Sequence, residues 1–188
     1  RYNTKTTLYY SLYDITRKLD NSCDCFTEIG SFHSCKTKNL NKICFDSDKI
    51  NATSMIKKFH YFLLELNLKH LLCFSGQKGY HPYIFTKNYQ SLKNPKNTLR
   101  NASQHILDLF NKWQEKKFSL KSKEEKEKYF VQVGVNKDFD VTVFGDINRL
   151  MRIPNTMHMN SKLYCIPITT EDLILGKNHI MNKAKQQN

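Results

Sequence analysis

No apolar run in the sequence approaches the roughly twenty residues of a membrane-spanning helix, and no signal-peptide pattern opens it. No membrane partner is expected, and the expected compartment is cytoplasmic and nucleoid-associated. Acidic residues are scarce: 17 Asp and Glu stand against 30 Lys and Arg, for a net charge of +13. Such an excess on a folded domain points to a polyanion, nucleic acid first, more than to a merely solvated lysine-rich surface. A disulfide framework is missing as well, since 6 cysteines in 188 residues do not have that density. Cys44, Cys73 and Cys165 sit in apolar strand-like runs and read as small core residues. A starting Met is absent, and a fragment of a longer protein with additional domains is expected. Asn51-Ala52-Thr53 and Asn101-Ala102-Ser103 match the glycosylation acceptor pattern, but nothing else suggests secretion.

The length fits one domain, or two small modules sharing a core. The chain is organised around Ile43-Cys44-Phe45-Asp46-Ser47-Asp48, an apolar strand ending in two carboxylates. Residues i and i+2 of a strand share a face, so Asp46 and Asp48 point the same way. Adjacent carboxylates repel unless a cation lies between them. A hard divalent cation with oxygen ligands answers that need. Asp-x-Asp is common, and by itself it reads more simply as a strand running into a turn.

Leu8, Leu12, Ile15 and Leu19 recur at helical spacing and predict an amphipathic helix over 4–19. Cys25 to Phe32 favours a strand, and 36–42 a basic loop. Cys23, Cys25, His33 and Cys35 have the chemistry of a zinc site, but their Cys-x-Cys and His-x-Cys spacing fits a strand pair better than common zinc motifs. Asn51 or Thr53 caps a second predicted helix, with Met55, Ile56, Phe59, Phe62, Leu63 and Leu66 on its apolar face; His60 and His70 receive no role. Leu71-Leu72-Cys73-Phe74 is a short apolar strand, which completes a β-α-β pattern. It runs into Ser75-Gly76-Gln77-Lys78-Gly79-Tyr80-His81, a loop whose glycines permit close backbone approach to a ligand. Its N–H groups, the Ser75 hydroxyl and the Lys78 ammonium suit a phosphate, although a plain glycine hairpin is an equal reading in isolation. Pro82 to Phe85 is a further strand.

A polar linker containing Pro95 is expected next, then a helix over 99–117 with Ala102, Ile106, Leu109, Phe110 and Trp113 inward. The lysine- and glutamate-rich stretch 116–128 reads as a solvated face. Strand-like runs follow at 129–135 and 138–143; Asp140 is a candidate third carboxylate, with Asp138 its competitor. A short helical turn through Asn148, Arg149, Leu150, Met151 and Arg152 sets the two arginines on one face, their planar forks suited to phosphate oxygens. Pro154-Asn155-Thr156 ends it. His158, Lys162 and a strand over 163–168 follow, then a possible helix from Glu171 and a polar, disordered tail.

Three of these stretches together resemble the catalytic core of the archaeo-eukaryotic primase superfamily, over roughly 43–168. They are Phe45-Asp46-Ser47-Asp48, the loop from Ser75 to His81, and Asp140-Val141-Thr142-Val143 followed by Asn148-Arg149-Leu150-Met151-Arg152-Ile153-Pro154 and His158. Their order, spacing and strand context make the set more specific than any one motif. The chain departs from primase small subunits in having Gln77 and Lys78 in the loop, Asn160-Ser161-Lys162 after His158, and no zinc knuckle after the first motif. It looks more like a plasmid, viral or CRISPR-associated primase-polymerase.

The resemblance implies an α/β (α+β) fold, with an RNA-recognition-motif-like, mostly antiparallel central sheet, a smaller αβ module and an active site in the cleft between them. It treats 1–188 as one catalytic core, in which 1–42 and 86–128 contribute the αβ module and helices and 43–85 and 129–170 carry the motifs. It implies a nucleotidyltransferase, a template-dependent DNA primase-polymerase working with two ions of Mg²⁺ or Mn²⁺. Asp46, Asp48 and Asp140 would be the catalytic, metal-holding carboxylates. Ser75, Gly76, Lys78, His81, Asn148, Arg149, Arg152 and His158 would bind the nucleotide. Expected partners are a single-stranded DNA template, a primer or initiating nucleotide, and NTP or dNTP. A gap-filling repair polymerase of the same superfamily, a non-catalytic nucleic-acid-binding module and a metal-dependent phosphodiesterase are the competing readings.

Overall fold

The structure is a computed structural model that describes residues 9–11, 14–15, 38–39, 42–48, 52–86, 94–118, 122, 124, 139–146 and 150–186. Its centre is a four-stranded sheet of β4 (Lys42–Cys44), β5 (His70–Phe74), β6 (Tyr80–Phe85) and β8 (Ile166–Ile168), in the order β4-β6-β5-β8. Every neighbouring pair is antiparallel. β4 and β5 therefore run parallel with β6 inserted between them, and α1 (Ala52–Glu65) makes the crossover. The expected β-α-β pattern is present in this split form. Two small antiparallel pairs flank it: β1 (Tyr9–Ser11) with β7 (Leu150–Arg152), and β2 (Asp14–Ile15) with β3 (Lys38–Asn39). The mixture of helices and antiparallel sheet is an α+β arrangement.

The strand register explains both faces of the sheet. Cys44 lies opposite Tyr83, and Cys73 opposite His81. Opposed residues share a face, as do i and i+2. Ile43, Phe45, Tyr80 and Ile84 thus face the helices, while Cys44, Asp46 and His81 face away. Phe45 is fully buried and meets the Phe59, Phe139 and Phe144 rings edge-on at centroid distances of 5.1, 5.2 and 5.2 Å. Phe59 also contacts Phe110 of α2 (Pro95–Lys117) at 5.0 Å. Met55, Ile56, Phe62 and Leu63 complete the buried stripe of α1 as its periodicity predicts, but Leu66 lies beyond the helix and is exposed.

Several sequence expectations are corrected. Within the stretch read as a helix over 4–19, the described residues form β1 and β2; pairing with β7 and β3 overrides the helical spacing of the leucines. Leu150–Arg152, read as part of a helical turn, is a strand for the same reason, and Val141–Val143 is a 3₁₀ turn rather than a strand. α2 begins at Pro95, because proline suits the first helical position and the Asn94 side chain accepts from the Asn97 N–H. Leu109 on α2 is exposed, whereas Leu99 and Leu107 are buried. The tail forms α3 (Thr170–Leu175) and α4 (Lys177–Lys185) instead of fraying after one helix.

The reason lies in Asp172, which is buried. It caps α3 with Thr169 and draws α4 in, accepting from Lys183 Nζ at 2.7 Å and lying 3.1 Å from His179 Nε2. Cys44, Cys73 and Cys165 are buried free thiols, as expected; burial pushes Cys73 up to about 12 and Cys165 to about 11, so neither is a thiolate.

His60, which is buried, and His70, which is partly buried, are given no role by the sequence and form a relay. His70 Nδ1 lies 2.6 Å from the Leu68 carbonyl and must donate to it. Its Nε2 lies 2.7 Å from His60 Nδ1, and His60 Nε2 lies 2.8 Å from the Thr170 hydroxyl. The relay ties α1, β5 and α3 together.

Candidate functional site

The ladder between β4 and β6 continues past the formal end of β4. Phe45 N–H donates to Pro82 C=O at 2.9 Å, and Ser47 and Tyr80 exchange N–H···O bonds of 3.0 and 2.8 Å. That register sets Asp46 opposite His81 and Asp48 opposite Gly79. His81 Nε2 lies 3.5 Å from Asp46 Oδ1, with both side chains largely buried. Asp46 and Asp48 share a face as predicted. Burial and the Asp46 charge raise the Asp48 carboxyl above its ordinary range, against the opposing pull of His81, Lys78 and Arg152.

Gly79 makes this approach possible. A Cβ there would fall 1.9 Å from Asp48 Oδ1 and 2.8 Å from the Ser47 carbonyl. The loop itself is closed: Ser75 N–H donates to Gly79 C=O at 2.9 Å, and Gly79 N–H donates to the Ser75 hydroxyl at 3.1 Å. Gly76 has φ +80°, and its Cα packs against the backbone of 163–165. The Ser75 carbonyl accepts from Arg152 Nη1, and the Gly76 carbonyl from the Ser161 hydroxyl. Lys78 and Gln77 are exposed at the loop's tip.

The third motif reaches the first through its backbone. Asp140 N–H donates to Asp46 C=O at 2.8 Å, beside the Phe45–Phe139 ring contact. The Asp140 carboxylate is exposed, and its Oδ1 accepts from the Thr142 N–H at 2.9 Å and the Thr142 hydroxyl at 2.6 Å. Arg152, at the end of β7, is buried close enough to Asp48 and His158 for its charge to act on both. His158 is buried, and its Nδ1 accepts from the N–H groups of Asn160 and Ser161 at 3.2 and 3.3 Å.

Asp46, Asp48, Ser75, Gly76, Lys78, His81, Arg152 and His158 thus belong to one neighbourhood, with Asp140 bonded to it through the main chain. Asn148 and Arg149 lie outside the described residues, as do Asp138 and the Cys23, Cys25, His33 and Cys35 cluster. The sequence reads Gly79 only as one of two loop glycines that permit close backbone approach, and gives Thr142 and Ser161 no role. Asp-x-Thr is a recognisable side-chain turn signature; that Gly79 meets Asp48 and that Ser161 reaches Gly76 carry no signal until the partner strands are in place.

No family model and no curated protein matches this sequence. Among solved structures it is similar to the polymerase domain of Mycobacterium tuberculosis ligase D in complex with DNA. That match has 10% identity and a TM-score of 0.48, and covers 81% of this chain and 59% of that one.

Asp46 and Asp48 supply carboxylate oxygens from one face, and the Asp48 carboxyl is raised by burial first and by the Asp46 charge second. With Asp140 turned to Thr142, no group of three or more His, Cys, Asp or Glu among the described residues converges on a metal position. No described helix is long and apolar enough to cross a membrane.

Proposed function

We propose that the chain is the catalytic core of a template-dependent DNA primase-polymerase of the archaeo-eukaryotic primase type, transferring nucleotidyl groups from nucleoside triphosphates. The observation that carries this reading is the 2.8 Å bond from Asp140 N–H to Asp46 C=O. It joins the third sequence motif to the first, at the strand end where the glycine loop meets Asp48.

In this reading Asp46 and Asp48 hold the metal, and Asp140 joins them by turning from Thr142. Two Mg²⁺ or Mn²⁺ ions, when bound, supply charge stabilisation to the attacking and leaving oxygens. The chain's own residues bind and orient the triphosphate. Arg152 is anchored on the Ser75 carbonyl, which fixes its planar fork beside the loop. Lys78 at the loop tip adds an exposed charge, and His81, held beside Asp46, presents its ring to the same region. Asn148 and Arg149, outside the described residues, are assigned to the nucleotide by the sequence motif alone. The net charge of +13 serves a single-stranded template through salt-sensitive, largely sequence-independent contacts.

The test is primer-free synthesis on single-stranded DNA with Mg²⁺ or Mn²⁺ and labelled nucleotides, with Asp46→Ala as control. Short products that vanish in the variant support the proposal. Extension only when a primer is supplied moves the assignment to a gap-filling repair polymerase. Template binding without any product, in both conditions, leaves a non-catalytic nucleic-acid-binding module.

A further inference from the structure

We propose that Ser161 is a positioning residue that fixes His158 as a neutral Nε2–H donor beside the glycine loop, aimed at a phosphate oxygen. For its ligand the inference rests on the function proposed above; the lock itself does not. An imidazolium carries protons on both ring nitrogens. His158 Nδ1 instead receives two backbone N–H groups, from Asn160 and Ser161. A proton on Nδ1 would face both of them, so the ring proton belongs on Nε2. Among the described residues nothing bonds to that nitrogen.

Ser161 is the link that gives this ring a fixed place. Its N–H faces His158, while its hydroxyl donates to the Gly76 carbonyl across the gap to the loop. The same turn is closed by His158 N–H to Leu163 C=O at 2.8 Å and Lys162 N–H to His158 C=O at 2.9 Å. Lys162 accepts a left-handed backbone, φ 58°, to close it. From β7, Arg152 is the charged group that acts on the ring, and burial and that cation both lower its basicity. Arg152 in turn donates to Ser75, the residue before Gly76. Arginine and histidine are therefore registered to adjacent loop carbonyls, one as a permanent cation and the other as a neutral donor. A neutral donor stabilises a phosphate oxygen without the like-charge conflict that an imidazolium would have with Arg152.

The experiment is imidazole ¹⁵N spectroscopy of the full chain, with His158→Gln to assign the signal. The expected result is an Nε2–H tautomer with a midpoint below the ordinary value of about 6.5. An Nδ1–H tautomer, or a midpoint at or above that value, overturns the proposal. Ser161→Ala should mix the tautomers, whereas Ser161→Thr, which keeps the hydroxyl, should restore the original spectrum. An Ser161→Ala spectrum identical to the parent's overturns the positioning role. Tripolyphosphate is the ligand probe: it should shift the Nε2 signal, and Ser161→Ala should weaken its binding roughly five- to tenfold, the share of one hydrogen bond. Binding that leaves His158 unmoved overturns this inference alone. No binding of tripolyphosphate, with the tautomer as expected, overturns the ligand assignment together with the proposed function and leaves the lock in place.

Discussion

Asp48 stands opposite Gly79, so close that a Cβ on the glycine would lie 1.9 Å from the carboxylate oxygen. The strand carrying the carboxylates and the loop after β5 are therefore one mechanical unit. Gly79→Ala should expel the Asp48 carboxylate from its present place. Mn²⁺ affinity, followed by electron paramagnetic resonance, is expected to fall at least tenfold while the far-ultraviolet circular dichroism spectrum stays unchanged. Unaltered Mn²⁺ affinity would show that Asp48 does not need this position.

Asp46→Ala and Asp140→Ala should each abolish primer extension and leave single-stranded DNA affinity within about twofold, since the template contacts assigned to the basic surface are elsewhere. Extension assays and fluorescence anisotropy measure the two. Retained extension by either variant removes that residue from the carboxylate set. Thr142→Val offers a graded comparison. It deletes the hydroxyl that holds Asp140 aside and should tighten Mn²⁺ binding if the carboxylate has to turn inward.

The aromatic core bears the site directly, because Phe45 precedes Asp46 and Phe139 precedes Asp140. Phe59 touches both rings, at 5.1 and 4.9 Å. Phe59→Ala should cost about 3–5 kcal/mol, the transfer free energy of the ring plus the cavity it leaves. Urea denaturation of the variant against the parent chain measures it. Phe59→Leu should cost less than half of that and retain the Asp140–Asp46 contact.

Acid stability should carry the mark of the His60 relay. Burial, and then the neighbouring His70, lower His60 to about 4. The unfolded chain protonates near the ordinary histidine value of about 6.5, so between 6.5 and about 4 it binds more protons than the folded one. Stability is therefore whole above that window and falls as pH drops through it, by at most roughly 3 kcal/mol. Thermal unfolding at pH 7 and pH 4.5 should show this loss, and His60→Gln should reduce the slope. A variant with the parent's full pH slope would assign the effect to other groups.

The sequence by itself determined the pieces whose chemistry is local. The apolar run ending at Asp46 and Asp48, the period of α1, the buried thiols and the strand on each side of the Ser75–Gly79 loop follow from alternation, periodicity and turn chemistry within a few residues. Proximity in space was not legible in the same way. Leu8, Leu12 and Ile15 have helical spacing, yet Tyr9–Ser11 is a strand because Leu150–Arg152 offers it a partner more than a hundred positions away in the sequence. His60 and His70 are unremarkable until α1 packs on β5 and α3 and their nitrogens meet. Gly79 is one glycine in a loop until the β4–β6 register sets Asp48 against it, and Ser161 is one polar residue in a turn until its hydroxyl reaches Gly76. Hydrogen bonds and like-charge contacts of this kind act over a few ångströms, and only the folded backbone decides which distant residues come that close.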